Sequence, residues 1–525
     1  MKQYFAPIIS LITIVLSAQH QERTDWPLKD LSLDSVPGIS LERAYSELIP
    51  KMEKQEVIVA LIDSSVEDSH PDLQGALFVN KDEIPYNGKD DDNNGYIDDI
   101  NGWNFLGYGQ DKIVLNGVYS HILALQQQKD WLAKKPGIRP VPEETLQLAK
   151  IIKEEKHKES LKRLDRGQQM LESYTWLHTN HPNAFPSGLK YKDRVLDSIA
   201  DKDDQAKSHI RKLGNLSIGP EGFRRVTESA HMEVRKLSVF NNVENRIWDK
   251  VDSLSHLRET PGRGTPYVSQ GTYELTHGTQ MAVAIAAVRG NGIGLKGFGN
   301  HIKMMPLVIT NQAGFRDKDF FNAVEYAVDN GAKVVNFSFG EEFSEDPQAF
   351  VEAMVYMKKH DVLFVCASGN HRLDLDSSEK SYYPKKSQFS RELLENFIKV
   401  GASTEYLGNK VVSPYGNYGQ NEVDILAPGL FVASGYSREY YLPYTSGTSY
   451  SCAFVSGIAA LLRSLFPELT AKETKDIILE SGISFDVDVT MPDGTKKHFS
   501  EFTASGKIVN AYNAISLAME RIGIK

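Results

Sequence analysis

Short apolar runs alternate with amphipathic ones in two separated parts of the chain. The run at 57–62 is continuous and largely β-branched, which is typical of a strand covered on both faces. Strands and helices in alternation predict an α/β fold, a doubly wound parallel sheet with helices on both faces. The later predicted strands are 304–309, 332–338 and 362–367, and the predicted helices between and after them include 276–288, 319–329, 347–359 and 453–462.

The middle of the chain has a different character. From 107 to 264 it is densely charged, and its narrow apolar stripes follow helical spacing. This pattern predicts a mainly α-helical insertion at 107–264. The α/β domain is therefore predicted to be discontinuous, over 56–106 and 265–525, after a lead segment at 19–55.

The first residues predict export. A basic start at Lys2, an apolar stretch over 5–15 and small residues up to Ala18 are typical of a secretory signal peptide at 1–18, with an uncleaved anchor as the alternative. We expect a periplasmic, cell-surface or secreted protein without a membrane span after cleavage. A net charge of −10 gives no reason to expect a nucleic-acid partner. Cys366 and Cys452 stand in apolar stretches and are expected to be buried free thiols, although the sequence alone leaves a bridge open.

Four polar residues follow or begin the predicted elements. Asp63 ends the first strand, where α/β folds place their chemistry, and an Asx-turn is its alternative role. His277 stands in the first turn of a small-residue helix, where a structural role is its alternative. Ser449 stands at the start of an apolar helical run and could also be an ordinary N-cap. Asn370 follows the strand at 362–367, where its amide could donate to an oxyanion or simply occupy a turn.

An acidic loop follows the first strand. Asp90, Asp92, Asn94 and Asp98 place oxygen ligands near Gly95, a pattern that suits a hard cation such as calcium. The spacing opens like an EF-hand loop but lacks its distal glutamate, and an acidic surface turn is the alternative. We predict a structural calcium ion at this loop.

The order Asp63, His277, Asn370, Ser449 resembles the subtilisin-like serine proteases, or subtilases, in which the triad runs Asp, His, Ser. The resemblance rests on Ile62-Asp63-Ser64, His277-Gly278-Thr279, Ser338-Phe339-Gly340, Ala367-Ser368-Gly369-Asn370 and Gly447-Thr448-Ser449, and it covers about 57–105 and 265–515. An α/β-hydrolase elbow is excluded, because Ser451 stands where that motif has glycine.

The resemblance implies a residue for each role. Ser449 would be the nucleophile, His277 its base and Asp63 the residue that orients the imidazole, while Asn370 and the Ser449 backbone N–H would hold the oxyanion. An extended polypeptide substrate would pair with one strand and enter a pocket walled by a second. The strand residues are Ser338, Phe339 and Gly340, and the pocket residues are Ala367, Ser368 and Gly369. The chemistry would need no cofactor.

The chain departs from the family pattern at Tyr382, where many relatives have a small residue near the floor of the primary specificity pocket. A tyrosine there predicts a preference for small side chains. We therefore expect an exported serine endopeptidase that works through an acyl-enzyme. The alternatives are a catalytically weak or occluded binding protein on the same fold, and an esterase or amidase with the same triad.

Overall fold

The computed structural model describes residues 25–106, 143–181, 203–213, 264–269, 277–310, 314–344, 346–378, 382–430, 432–437, 440–491 and 493–524, and a few residues between 125 and 134. The predicted signal peptide lies outside the described residues, as does most of the predicted insertion.

A seven-stranded parallel sheet forms the centre of the fold, in the order β2-β3-β1-β4-β5-β6-β7. Its strands are β1 (Val57–Asp63), β2 (Trp103–Asn104), β3 (Ile302–Val308), β4 (Val334–Phe337), β5 (Leu363–Ala367), β6 (Phe397–Ser403) and β7 (Ile425–Pro428). Two separate two-stranded sheets pair β8 (Val432–Ser437) with β9 (Tyr440–Thr445), and β10 (Asp488–Thr490) with β11 (Lys496–His498).

The described residues form ten α-helices. They are α1 (Leu31–Asp34), α2 (Leu41–Glu47), α3 (Glu143–Asn180), α4 (Asp204–Leu213), α5 (His277–Ala286), α6 (Asp317–Asp329), α7 (Pro347–Lys359), α8 (Thr448–Leu465), α9 (Ala471–Ser481) and α10 (Ala511–Ile522). Among the described residues, no helix combines the length and apolar character needed to cross a membrane.

Alternate side chains of β1 enter two different cores. Val59 and Leu61 pack with α5, α8, α9 and α10 on one face, whereas Ala60 and Ile62 pack with α6 and α7 on the other. Strands buried on both faces have nearly continuous apolar runs, which explains the run at 57–62. The predicted α/β class, a doubly wound parallel sheet with helices on both faces, is confirmed.

The chain divides into two compact units, one of Met1–Gly117 with Leu257–Lys525 and the other Val118–His256. Within the second unit, Trp176 of α3 stacks on His209 of α4 at 4.5 Å between ring centroids. The predicted domain boundaries, including a helical insertion at 107–264, stay a prediction.

The sheet topology points to one edge. The chain leaves β1 toward β2 on one side of the sheet and leaves the neighbouring β4 toward β5 on the other side, so the direction of the connections reverses between β1 and β4. In open α/β sheets, ligands bind outside the carboxyl ends of the strands at such a reversal. β1 ends on Asp63 at this place.

Candidate active site

Asp63 and His277 form a hydrogen-bonded pair at the carboxyl end of β1. Asp63 is fully buried, and both of its oxygens lie 2.9 Å from Nδ1 of His277. The Ser64 backbone N–H donates to the same carboxylate at 2.6 Å. A carboxylate held in this way fixes the ring orientation and keeps the proton on Nδ1, so that Nε2 is left as the acceptor.

His277 is the first residue of α5, and its side chain is 34% exposed. Burial lowers the pKa of its imidazole, but the charge and hydrogen bond of Asp63 outweigh that effect and raise the pKa above 6.5. Phe339 packs against the ring with centroids 5.0 Å apart. The imidazole can therefore reach a substrate on one side while Phe339 and Asp63 hold it on the others.

Gly278 allows α5 to approach the Asp63 loop closely. A Cβ at this position would lie 2.2 Å from the carbonyl oxygen of Ser64, and the Gly278 N–H donates to the Ser64 hydroxyl at 2.9 Å. No larger residue fits without moving the backbone. The glycine beside the histidine therefore brings the imidazole within reach of Asp63.

Ser449 is the second residue of α8 and is 7% exposed. Its Oγ donates to the Ser338 carbonyl at 3.2 Å, and the Ser338 hydroxyl donates to the Ser449 carbonyl at 3.2 Å. Of the described residues, Ser338 rather than His277 is the hydrogen-bond partner of this hydroxyl. The serine N–H lies in the first helical turn, where N–H groups have no intrahelical acceptor and the dipole favours negative charge.

Asn370 lies next to this helix start. Its Oδ1 accepts hydrogen bonds from the Thr448 backbone N–H at 2.9 Å and the Thr448 hydroxyl at 3.0 Å. These donors fix the amide orientation and leave Nδ2 as a donor. A Cβ at Gly447 would lie 3.9 Å from Nδ2 and 3.7 Å from the Ser449 nitrogen, so the two donors lie close to one point beside Gly447.

Asn417 holds the loop that carries Asn370, and the sequence pattern gave no signal for it. It is 1% exposed, and its Oδ1 accepts from the backbone N–H groups of His371 at 3.0 Å and Leu373 at 2.9 Å. Its Nδ2 donates to the Ser368 carbonyl at 2.8 Å. One buried amide thus spans the loop on both sides of Asn370.

Tyr382 fills the space between the two predicted pocket walls. A Cβ at Gly340 would lie 2.1 Å from Cε1 of this ring, and a Cβ at Gly369 would lie 2.5 Å from Cζ. The tyrosine is buried, and burial raises the pKa of its hydroxyl. Ala367 and Ser368 are buried beside Gly369, as is Ser338 beside the partly exposed Phe339 and Gly340. The structure thus places the ring directly against both glycines.

The acidic loop brings together a set of carboxylates that differs from the predicted one. Glu83, Asp90 and Asp92 each offer an oxygen within 4.8 Å of the others. Asp98 instead accepts from the backbone N–H groups of Asn87 and Gly88, both at 2.9 Å. Asn94 donates through Nδ2 to Asp92 at 3.0 Å. Glu83 has no local sequence signature, because it stands seven residues before Asp90, outside any loop motif.

Comparison with known proteins gives one family. The model of the subtilase family matches residues 152–505, which include His277, Asn370 and Ser449. The cell wall-associated protease of Bacillus subtilis is 30% identical over 213 residues, 40% of this chain and 22% of that protein. The thermophilic serine proteinase of Bacillus sp. strain AK1 is 28% identical over 241 residues, 46% of this chain and 52% of that protein.

The match to these two relatives therefore spans about a fifth and about half of their respective lengths. Among solved structures, one described as the structural basis of subtilase cytotoxin assembly is 25% identical, with a TM-score of 0.41. It covers 49% of this chain and 81% of that one.

Proposed function

Because this chain belongs to the subtilase family, we propose that it is a serine endopeptidase whose triad is Asp63, His277 and Ser449. The observation that carries the proposal is the pair of 2.9 Å contacts between Nδ1 of His277 and the two oxygens of Asp63. This pair stands at the topological reversal of the sheet, where an α/β fold binds its ligand.

In the proposed mechanism, Oγ of Ser449 attacks the carbonyl carbon of the scissile peptide, and its proton passes to Nε2 of His277. The buried carboxylate of Asp63 stabilises the imidazolium that forms. The same imidazolium then protonates the leaving amine as the C–N bond breaks. A water, deprotonated by the imidazole, hydrolyses the acyl-serine and regenerates the hydroxyl.

Negative charge develops on the carbonyl oxygen in both halves of the reaction. Nδ2 of Asn370 and the N–H of Ser449 lie close to one point beside Gly447, which supports their role as oxyanion donors. The Thr448 hydrogen bonds preorganise the asparagine amide before substrate arrives. The N-terminal end of α8 adds a favourable dipole.

The proposed attack requires the Ser449 hydroxyl to exchange its partner. Its bond to the Ser338 carbonyl is 3.2 Å long and breaks when the side chain rotates toward the imidazole. Hydrogen bonds of a catalytic serine are often loose without substrate and tighten in the complex. We infer that substrate binding favours the rotated conformer.

The proposed substrate is a polypeptide in extended conformation that pairs with the backbone of Ser338, Phe339 and Gly340, while Ala367, Ser368 and Gly369 wall the pocket for the residue before the cleaved bond. The Tyr382 ring against both glycines supports a preference for small residues at this position, called P1. Faster cleavage after Phe or Leu than after Ala would contradict the preference.

We further propose an exported enzyme, on the signal-like pattern at 1–18, and a structural calcium ion at the acidic loop. Burial and the nearby charges of Asp99 and Asp92 raise the pKa of Glu83. A bound cation would stabilise the ionised carboxylate and lower this pKa again. Calcium should raise the melting temperature and EDTA should lower it, less so in Asp92→Asn. Equal melting temperatures with calcium and with EDTA would reject the ion.

A fluorophosphonate that labels wild type but not Ser449→Ala tests the proposed nucleophile. Labelling is quantified by mass of the intact chain, with and without calcium. A second candidate, a catalytically weak binding protein on this fold, is favoured by the bond of Ser449 to Ser338 in place of His277. Absence of label in both variants would support it. Cleavage of esters without cleavage of peptides would instead indicate an esterase.

A further inference from the structure

One lysine is almost completely buried behind the proposed P1 pocket. Lys399, in the middle of β6, is 1% exposed. Its Nζ donates to the Pro384 carbonyl at 2.7 Å and lies 3.1 Å from Oε2 of Glu422. A buried ammonium is retained only where it is paired and hydrogen-bonded, so these two contacts are what keep it there.

The carbonyl of Pro384 is two residues beyond Tyr382, the ring that fills the pocket. We propose that Lys399 and Glu422 are positioning residues that hold Tyr382 in place and thereby set the P1 preference. This inference rests on the proposed endopeptidase function and names what controls its specificity.

The segment at 382–386 is fixed at both ends. Near its start, Tyr383 exchanges two backbone hydrogen bonds with Glu341, at 2.7 and 3.2 Å. At its end, the Lys386 N–H donates to Oε2 of Glu422 at 3.0 Å. Glu422 thus contacts both the end of the segment and the buried ammonium.

The middle of the segment depends on the lysine. Pro384 is buried and has no N–H, so the backbone there offers only its carbonyl to a partner. That carbonyl accepts from Lys399. Loss of the ammonium would leave a buried carbonyl without this donor, and the segment would relax toward water. Tyr382 stands only two residues before Pro384, so its ring would move away from Gly340 and Gly369.

The test measures kcat/KM on matched peptide substrates with Ala or Phe at P1. Wild type should prefer Ala, and Tyr382→Ala should shift the Phe/Ala ratio toward Phe by about tenfold or more, as expected when a hydrophobic pocket gains room. Lys399→Met should shift the ratio in the same direction. A role confined to folding would lower both rates equally and leave the ratio unchanged.

Lys475 of α9 supplies a matched control. Its Nζ donates to the carbonyls of Leu394 and Phe397, both at 2.7 Å. Lys475 is therefore a second enclosed lysine, and both of these acceptors lie outside the segment at 382–386. Lys475→Met should lower the melting temperature as Lys399→Met does, without changing the Phe/Ala ratio. If Lys399→Met does not fold, Glu422→Gln decides, because it weakens the same anchor and should shift the ratio in the same direction.

The outcomes separate the two proposals. A wild type that neither takes the fluorophosphonate nor cleaves peptides would overturn the proposed function and this inference with it. A wild type that cleaves, a Tyr382→Ala ratio that shifts and a ratio unchanged in Lys399→Met and Glu422→Gln would overturn the positioning role alone.

Discussion

Asn370 can be altered so that its donor is lost while its acceptor stays. Oδ1 accepts two hydrogen bonds from Thr448, whereas the proposed catalytic contact comes from Nδ2. Asn370→Asp keeps an oxygen for Thr448 and replaces the donor with a second oxygen. Asn370→Ala removes both functions.

The expected magnitudes differ between stability and rate. In Asn370→Asp both Thr448 bonds remain, and a negative charge at the start of α8 stabilises the helix by about 0.3–1 kcal/mol. In Asn370→Ala two hydrogen bonds are lost, at about 0.5–1.5 kcal/mol each. Both variants lose one oxyanion donor, which costs about 2.7–4 kcal/mol in the transition state, or about 10²–10³ in kcat. Asn370→Asp should therefore be at least as stable as wild type and yet slow.

The assay combines urea unfolding with kcat and KM on a peptide that has Ala at P1, normalised to the fraction labelled by the fluorophosphonate. We expect kcat of Asn370→Asp to decrease by about 10³-fold, the larger limit of this range, because the charge of the aspartate repels the oxyanion. KM should change little. A kcat within tenfold of wild type in a folded, labelled Asn370→Asp would refute the assignment of Asn370 as a donor.

Three further predictions follow from the geometry. Asp63→Asn should lower kcat about 10⁴-fold and move the rise of kcat/KM with pH to lower pH. Activity needs a neutral imidazole, and this variant loses the charge and hydrogen bond of Asp63 that raise the pKa of His277, while the burial that lowers this pKa remains. A pH profile that is unmoved or shifted to higher pH would contradict this. Asn417→Asp should lower kcat by about 10²-fold and change KM much less, because the amide of Asn370 on this loop is misplaced. An effect confined to KM would argue against the role of Asn417 in positioning Asn370. Gly457→Ala should destabilise the fold by about 1–3 kcal/mol in urea, because its Cβ would lie 2.2 Å from the buried Phe298 ring, and unchanged stability would mean that the ring can yield.

The sequence predicted the fold class and the four strands β1, β3, β4 and β5, each to within about two residues of its bounds. β5 is apolar throughout and β1 is apolar up to its terminal Asp63, while β3 and β4 each contain one polar residue, Lys303 and Asn336, so all four keep a clear apolar pattern. β6 was missed because Lys399 interrupts its apolar run, and a lysine ordinarily indicates exposure. Only the fold brings Glu422 and Pro384 to that lysine, from loops that the pattern does not connect.

The residues of the candidate site also differ in whether the sequence could identify them. Asp63, His277 and Ser449 stand at or next to element ends, Asn370 lies three residues after β5, and the motif order identified all four. Their roles stay a prediction, although the structure brings Asp63 and His277 together. Asn417 and Glu83 act through contacts with residues distant in the chain or outside a motif, and neither has a local sequence signature.

The central place of β1 has a consequence for biosynthesis. Both of its partners come much later in the chain, β3 at Ile302–Val308 and β4 at Val334–Phe337. At about 5–20 residues per second, a ribosome needs roughly 10–50 s to travel from β1 to these strands. During that interval a continuous apolar, β-branched segment has neither edge paired, which is the type of sequence that self-associates. The nascent chain should therefore depend on a chaperone most strongly before β3 emerges.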